Sequence, residues 1–184
     1  MSQTYLEIRN RFSNEVMIAG DAESMAGLLE WALSLGVDLS EAQLSGANLA
    51  RANLAGAKLA LADLTAVNLS GADLTETWLP GATLVSADLS GVSARKANLT
   101  GADLSDANLR NANLAWARLQ MANLSEANLT RANLLGANLT GANLFETVLT
   151  EVNLSGANLD GASLVGAHLG GANLEWTSGY ESEE

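Results

Sequence analysis

The sequence predicts an all-β solenoid, and three observations carry that reading. The first is composition: 32 Ala, 34 Leu, 17 Asn and 17 Gly supply 100 of 184 residues. At 48% hydrophobic the chain is too apolar for disorder, and at 4% aromatic it is too narrow in vocabulary for an ordinary mixed core. The second is period. From Val37 to Trp176 a leucine recurs every fifth residue, Leu39 through Leu174, so that of 28 repeat centres 27 are Leu and one is Ala94. The third is the company each centre keeps. Ala stands two residues before it in 22 cases, and Asn or Asp immediately before it in 19. The unit reads Ala-Asn/Asp-Leu-x-x, clearest in Gly141-Ala142-Asn143-Leu144.

A period of five suits neither regular element. On an α-helix successive leucines would rotate by about 140° and smear around the surface. On a straight strand an odd period sends them to opposite faces. Ala and Leu are two apart, however, so within one unit they point the same way. The chain must run extended for a few residues and then bend, once per repeat. Bends toward one side wind it into a coil with Leu and Ala inside. Asn, Asp, Ser and Gly suit the bends, and Asx side chains can bond nearby backbone. Stacked coils then pair their backbones along the axis.

On these triplets, which run through 140 of 184 residues, the chain resembles the pentapeptide repeat family. The resemblance implies a right-handed quadrilateral β-helix with four repeats per coil. The 28 repeats would then make 28/4 = 7 coils, a rod about 34 Å long at ~4.8 Å per coil. It also implies a bacterial-type protein. Two irregularities are expected to follow the coil. Ala94 has Val92 as its inward neighbour, which nearly conserves volume. Pro80-Gly81 suits a corner, because Pro presets φ and Gly accepts a positive one.

Residues 1–36 stand outside the repeat and are expected to form a capping segment. Leu6, Ile8 and Phe12 alternate with Glu7, Arg9 and Arg11, as one strand of a hairpin turning at Ser13-Asn14 into a second strand at Val16–Ile18. A helix follows, with Asp21 as N-cap and Gly36 as its stop. Met25, Leu28, Leu29, Ala32 and Leu33 give it one apolar face. A cap is needed because a terminal coil exposes a leucine layer and unpaired edges. Residues 37–176 form the β-helix, and 177–184 an acidic C-terminal tail. No second capping helix is visible. Trp176 and Tyr180 leave two arrangements open: they cover the last coil, or they form a two-fold end-to-end contact with a second copy.

Chemistry-bearing patterns are sparse. There is no Cys, and the one histidine, His168, occupies an outward position. Zinc sites of the usual kind and thiol or Ser–His nucleophiles therefore lack their parts. No phosphate-binding or dinucleotide fingerprint occurs, since the glycines follow the five-residue clock. The expectation is a non-enzymatic protein with no cofactor and no metal. The start shows no secretory signal, and no apolar run approaches the ~20 residues a membrane span needs. A cytoplasmic protein is expected.

The net charge of −12 opposes direct nucleic acid binding, which needs a basic surface. The repeat body carries 13 acids and 7 bases, or −6. With four repeats per coil, positions twenty apart share a face. The face centred on Leu44 to Leu164 carries Asp63, Asp103, Asp106, Glu126 and Glu146 and is expected to carry no Lys or Arg. Asp106, Glu126 and Glu146 fall in one slot of successive coils. These five residues are the candidate partner face, with Trp116, Leu135 and Phe145 as candidate apolar anchors. The general reading is an interaction or structural solenoid whose protein partner the sequence does not name. The alternative, which the resemblance alone supplies, is a DNA mimic acting on DNA gyrase or another topoisomerase. Mostly Leu centres, seven diluting bases and the lack of a long loop weigh against it.

Overall fold

The computed structural model describes residues 3–180. Its body is a β-solenoid in which the residue before each centre forms a parallel bridge with the residue twenty positions on, from Gln43↔Asp63 to Asn158↔Ser178. Four five-residue repeats therefore complete each turn. Each bridge is a short rung rather than a long strand, because the chain bends every five residues.

Two sets of hydrogen bonds build the ladder. Within a rung, Leu44 N donates to Asp63 O and Asp63 N to Ala42 O. At the corners, Gly46 N donates to Thr65 O of the next turn, while Ala47 N closes back on Leu44 O at 3.1 Å. That closure is a β-turn. Its third residue, every fifth position from Glu41 to Trp176, has a positive φ, the mark of a type II turn. The slot admits Gly, Asp, Glu, Arg and even Trp, but no Val, Ile or Thr, whose branched Cβ tolerates that region worst. Pro80 falls at the second turn position, where its fixed φ fits.

Asn and Asp before the centres complete the corners. Their Oδ1 accepts from the backbone N–H two residues on, as in Asn68 with Ser70 and Asn128 with Thr130, both at 3.0 Å. The hydroxyls of Ser70 and Thr130 bond the same oxygens. Side-chain amides also bridge turns, as in Asn123 Nδ2 to Asp103 at 2.9 Å.

Leu and Ala fill the interior, and the column from Leu39 to Leu159 is buried throughout. Val92 and Ala94 are 1% and 2% exposed, and Ala94 N keeps its rung bond to Asn113 O. Thr77 and Thr147, standing where Ala is usual, are fully buried. Each donates its hydroxyl to a main-chain carbonyl, Leu54 O at 3.0 Å and Leu124 O at 2.8 Å. A polar group is tolerated inside because it finds an acceptor.

The N-terminal segment is a hairpin followed by a helix. Strand β1 (Thr4–Asn10) pairs antiparallel with β2 (Val16–Ala22), and α1 (Met25–Ser34) follows. β1 also pairs with β3 (Ala42–Gln43), giving the sheet order β2-β1-β3. The hairpin thus continues the first coil rather than merely lying on it. Ile8, Leu28, Leu29 and Ala32 join the same core as Leu39 to Leu54.

Two details differ from expectation. The helix N-cap is Ser24, whose Oγ accepts from Gly27 N, not Asp21. Asp21 lies in β2 opposite Tyr5, so strand pairing claims the residue before capping can. Phe12 lies beyond the end of β1 and is 67% exposed, its ring facing the Arg11 guanidinium at 5.0 Å, so it takes no part in the inward face. Gly36, with φ 71, ends the helix as expected, its N–H bonding Leu33 O.

Candidate functional site

The twenty-residue register decides which outward residues meet. Asp106, Glu126 and Glu146 occupy the same corner position in three successive turns. All are exposed, with φ of 58°, 60° and 53°. A residue at a corner projects away from the rungs, so these carboxylates form a column along one edge of the rod. The Glu146 stem leans over Gly166, where an added Cβ would stand 2.9 Å from its Cγ.

Asp63 and Asp103 lie on the adjoining face but are occupied differently. Asp103 Oδ1 accepts from Ser105 N, the Ser105 hydroxyl and Asn123 Nδ2. Asp63 accepts from Thr65 N at 3.0 Å and Gln43 Nε2 at 2.9 Å. Partial burial would raise its carboxyl above the ordinary range, but the bonds from Thr65 and Gln43 and the Arg11 charge outweigh this and hold it below. These two side chains hold the ladder together, whereas the corner three are free to meet a partner.

The structure corrects two readings of this face. It is not free of bases: the N-terminal segment swings Arg11 onto it, with Nη1 donating to Leu61 O at 3.0 Å and to Thr83 Oγ1 at 3.3 Å. Thr83 stands between Asp63 and Asp103 in the bridge column. Nor do all three apolar anchors adjoin the acids. Phe145, 39% exposed, precedes Glu146. Trp116 and Leu135 lie half a turn away, because ten residues are half of a twenty-residue coil.

The C-terminal end is open among the described residues. Ser178 still bridges Asn158, so the ladder runs two residues past Trp176. Thr177 repeats the inward-threonine bond, to Leu154 O at 3.0 Å. Leu164, Leu169 and Leu174 are only partly buried, unlike every centre before them. Tyr180 is partly buried against the core, while Trp176 is 88% exposed. Gly179 fits so closely on Asp160 that any side chain there would overlap backbone. Glu181 to Glu184 of the acidic tail lie outside the described residues.

His168 is exposed in its rung position, bridged to Val148. Among the described residues no three His, Cys, Asp or Glu gather closely enough to hold a metal ion, and no helix is long and apolar enough to cross a membrane.

The chain is similar to three solved structures. HetL, a pentapeptide repeat protein involved in heterocyst differentiation regulation in the cyanobacterium Nostoc sp. strain PCC 7120, is 36% identical over 73% of each chain, with a TM-score of 0.55. Rfr23, a pentapeptide repeat protein of the cyanobacterium Cyanothece 51142, is 41% identical over 52% of this chain and 60% of its own, with a TM-score of 0.43. A form of QnrB1, a plasmid-mediated fluoroquinolone resistance protein, shares the fold at 22% identity over 73% of this chain and 78% of its own, with a TM-score of 0.60. No curated protein matches the sequence. The pentapeptide repeats profile matches in 8 copies over residues 36–71, 68–106, 107–144 and 142–178. With that match spanning the whole ladder, the chain belongs to the pentapeptide repeat family.

Proposed function

We propose that the protein is a non-enzymatic interaction scaffold: a right-handed quadrilateral rod of about seven coils, closed by its hairpin and helix, that docks a basic protein surface. The observation that carries this reading is the corner column Asp106, Glu126 and Glu146. These exposed carboxylates repeat at the coil spacing of roughly 4.8 Å, on a backbone fixed above and below by the ladder. A rigid charged edge loses little entropy on binding and favours encounter with an opposite charge. In this reading the protein acts in the cytoplasm. Replacing Asp106, Glu126 and Glu146 together with Asn tests it. The thermal melt should be unchanged and binding to the basic partner lost; a partner bound equally well by the variant refutes the docking face.

The acidic edge also supports a second reading, mimicry of DNA toward DNA gyrase or another topoisomerase. A supercoiling assay with and without quinolone decides it: no effect at micromolar protein excludes the mimic.

The open end has its own proposal. A second copy meeting it across a two-fold axis would cover Leu164, Leu169 and Leu174 and bury Trp176. Light scattering of the protein and of Trp176→Glu should then show dimer and monomer; a monomer in both at high concentration rejects the contact.

A further inference from the structure

We propose that the edge opposite the acidic column binds an extended acidic peptide segment of a partner protein. Lys58, Trp78, Asn98 and Arg118 form one continuous column, each bridged to the next. Lys96 and Trp116 occupy successive positions of the corner beside it, and Arg95 precedes Lys96. The edge thus holds four of the seven bases of the repeat body: Lys58, Arg95, Lys96 and Arg118.

Those cations are largely unspent. Among the described residues Lys96 pairs with Glu76 at 3.5 Å, while Lys58, Arg95 and Arg118 have no carboxylate within 4.0 Å. All four bases are exposed. In a chain of net charge −12, four bases set against Glu76, which meets Lys96, and Asp38, which feels the Lys58 charge, still make this edge a local reversal of sign. Two indoles share the edge, Trp78 at 49% and Trp116 at 54% exposure. Trp116 lies so close along the corner that a Cβ on Gly136 would overlap its ring. Asn98, between Trp78 and Arg118 in the column, is only 8% exposed and is the one buried Asn among the described residues.

At its N-terminal margin the edge meets a notch lined by Leu33, Val37, Gly56 and Lys58, where the end of α1 approaches the first coil. Lys58 to Arg118 spans three coil spacings, about 14 Å, which matches carboxylates four residues apart on an extended chain rising ~3.3 Å per residue. An apolar side chain can enter the notch while carboxylates meet Lys58, Arg95 and Arg118, and the indoles take the intervening stems. A nucleic acid strand would meet the same cations, but its long phosphate track would also face a strongly acidic rod. A short peptide confines its charge to this edge. The proposal does not depend on the acidic column, and the two faces are tested by separate variants.

The test is an array of decapeptides, each with several Asp or Glu and one aromatic or leucine residue, with binding re-measured by fluorescence anisotropy. Acidic peptides should bind and weaken as salt rises. Arg95→Glu with Arg118→Glu should cost at least ~10-fold in affinity, as Trp78→Ala should in a second variant. Asp106→Asn, Glu126→Asn and Glu146→Asn together should leave this binding unchanged. All the altered residues are exposed, and circular dichroism checks that the coil persists. Absence of any acidic binder, equal binding by the Arg95→Glu, Arg118→Glu variant, or displacement of the peptide by oligo-dT with higher affinity would each overturn the proposal.

Discussion

The two ends of the rod are made of the same coil and meet solvent differently. At the N-terminal end, Leu39, Leu44, Leu49 and Leu54 are at most 2% exposed, because Ile8, Leu28, Leu29 and Ala32 lie in the same core. At the C-terminal end, Leu164, Leu169 and Leu174 are partly exposed, and among the described residues no strand pair or helix follows to cover them. The repeat supplies lateral stability equally at both ends. What differs is axial: an edge rung needs something beyond it to pair its backbone and cover its leucines. The hairpin does both, since β1 pairs with β3 while the helix supplies apolar cover. The difference teaches that the coil is self-sufficient in cross-section and dependent along its axis.

Removing residues 1–36 should have the largest effect, because it turns the closed end into a second open one. We expect aggregation at concentrations where the full chain stays dispersed, followed by light scattering during a thermal ramp. An equally dispersed truncated protein with an unchanged melt would show that the first coil needs no cover.

Single leucines should grade the same contrast. Leu29→Ala removes a fully buried side chain from the closed end and should cost about 2–5 kcal/mol in urea denaturation. Leu169→Ala, partly exposed in the open coil, should cost less than about 1.5 kcal/mol. Equal losses would mean that the last coil is covered in solution, which points back to the two-fold contact.

The period of five and the Asn or Asp before each centre announced the solenoid because each residue answers a local demand. Leu fills the interior, Asn caps the bend, and the fifth position must accept positive φ. The last demand is also legible, as the exclusion of Val, Ile and Thr from that slot. What sequence could not supply were contacts between segments far apart in the chain. Ser24 rather than Asp21 caps the helix because β1 takes Asp21 into a strand. Arg11 reaches Thr83 across 72 positions. The acidic column followed from the twenty-residue register, but the division between Asp63 and Asp103, held by backbone and amides, and the free corner carboxylates needed side-chain positions. Trp116 and the acidic column were separable from the register alone, since ten residues are half a turn.

The inward threonines offer a smaller contrast. Thr77 and Thr177 make the same bond, hydroxyl to a carbonyl 23 residues earlier, both at 3.0 Å. Thr77 is fully buried and Thr177 is not. Thr77→Val should cost about 1 kcal/mol, the net worth of a buried hydrogen bond, and Thr177→Val much less because water can replace the partner. Similar losses at both sites would again argue for a covered C-terminal end.

The smallest expected effect is the response to acid, and it too should begin at the closed end. Asp38 and Asp63 both sit in the first turns and both have carboxyls held below the usual value of 3.8. At Asp38 the bonds from Ser40 do most of this, aided by the Lys58 charge. At Asp63 partial burial opposes the shift and the bonds from Thr65 and Gln43 outweigh it. A carboxylate favoured by the fold contributes stability that is complete above its unfolded-state value and lost as pH falls through the lower folded one. The first turns should therefore loosen below about pH 4, before the middle of the rod, as amide exchange would show. Asp38→Asn with Asp63→Asn removes both titrations, so the pH dependence of exchange in these turns should flatten even if they are slightly weaker at neutral pH. Unaltered dependence in the double variant would place the acid response elsewhere. Loosening that starts instead at Leu169 would make the open end, not the acid-sensitive closed one, the first part of the rod to fail.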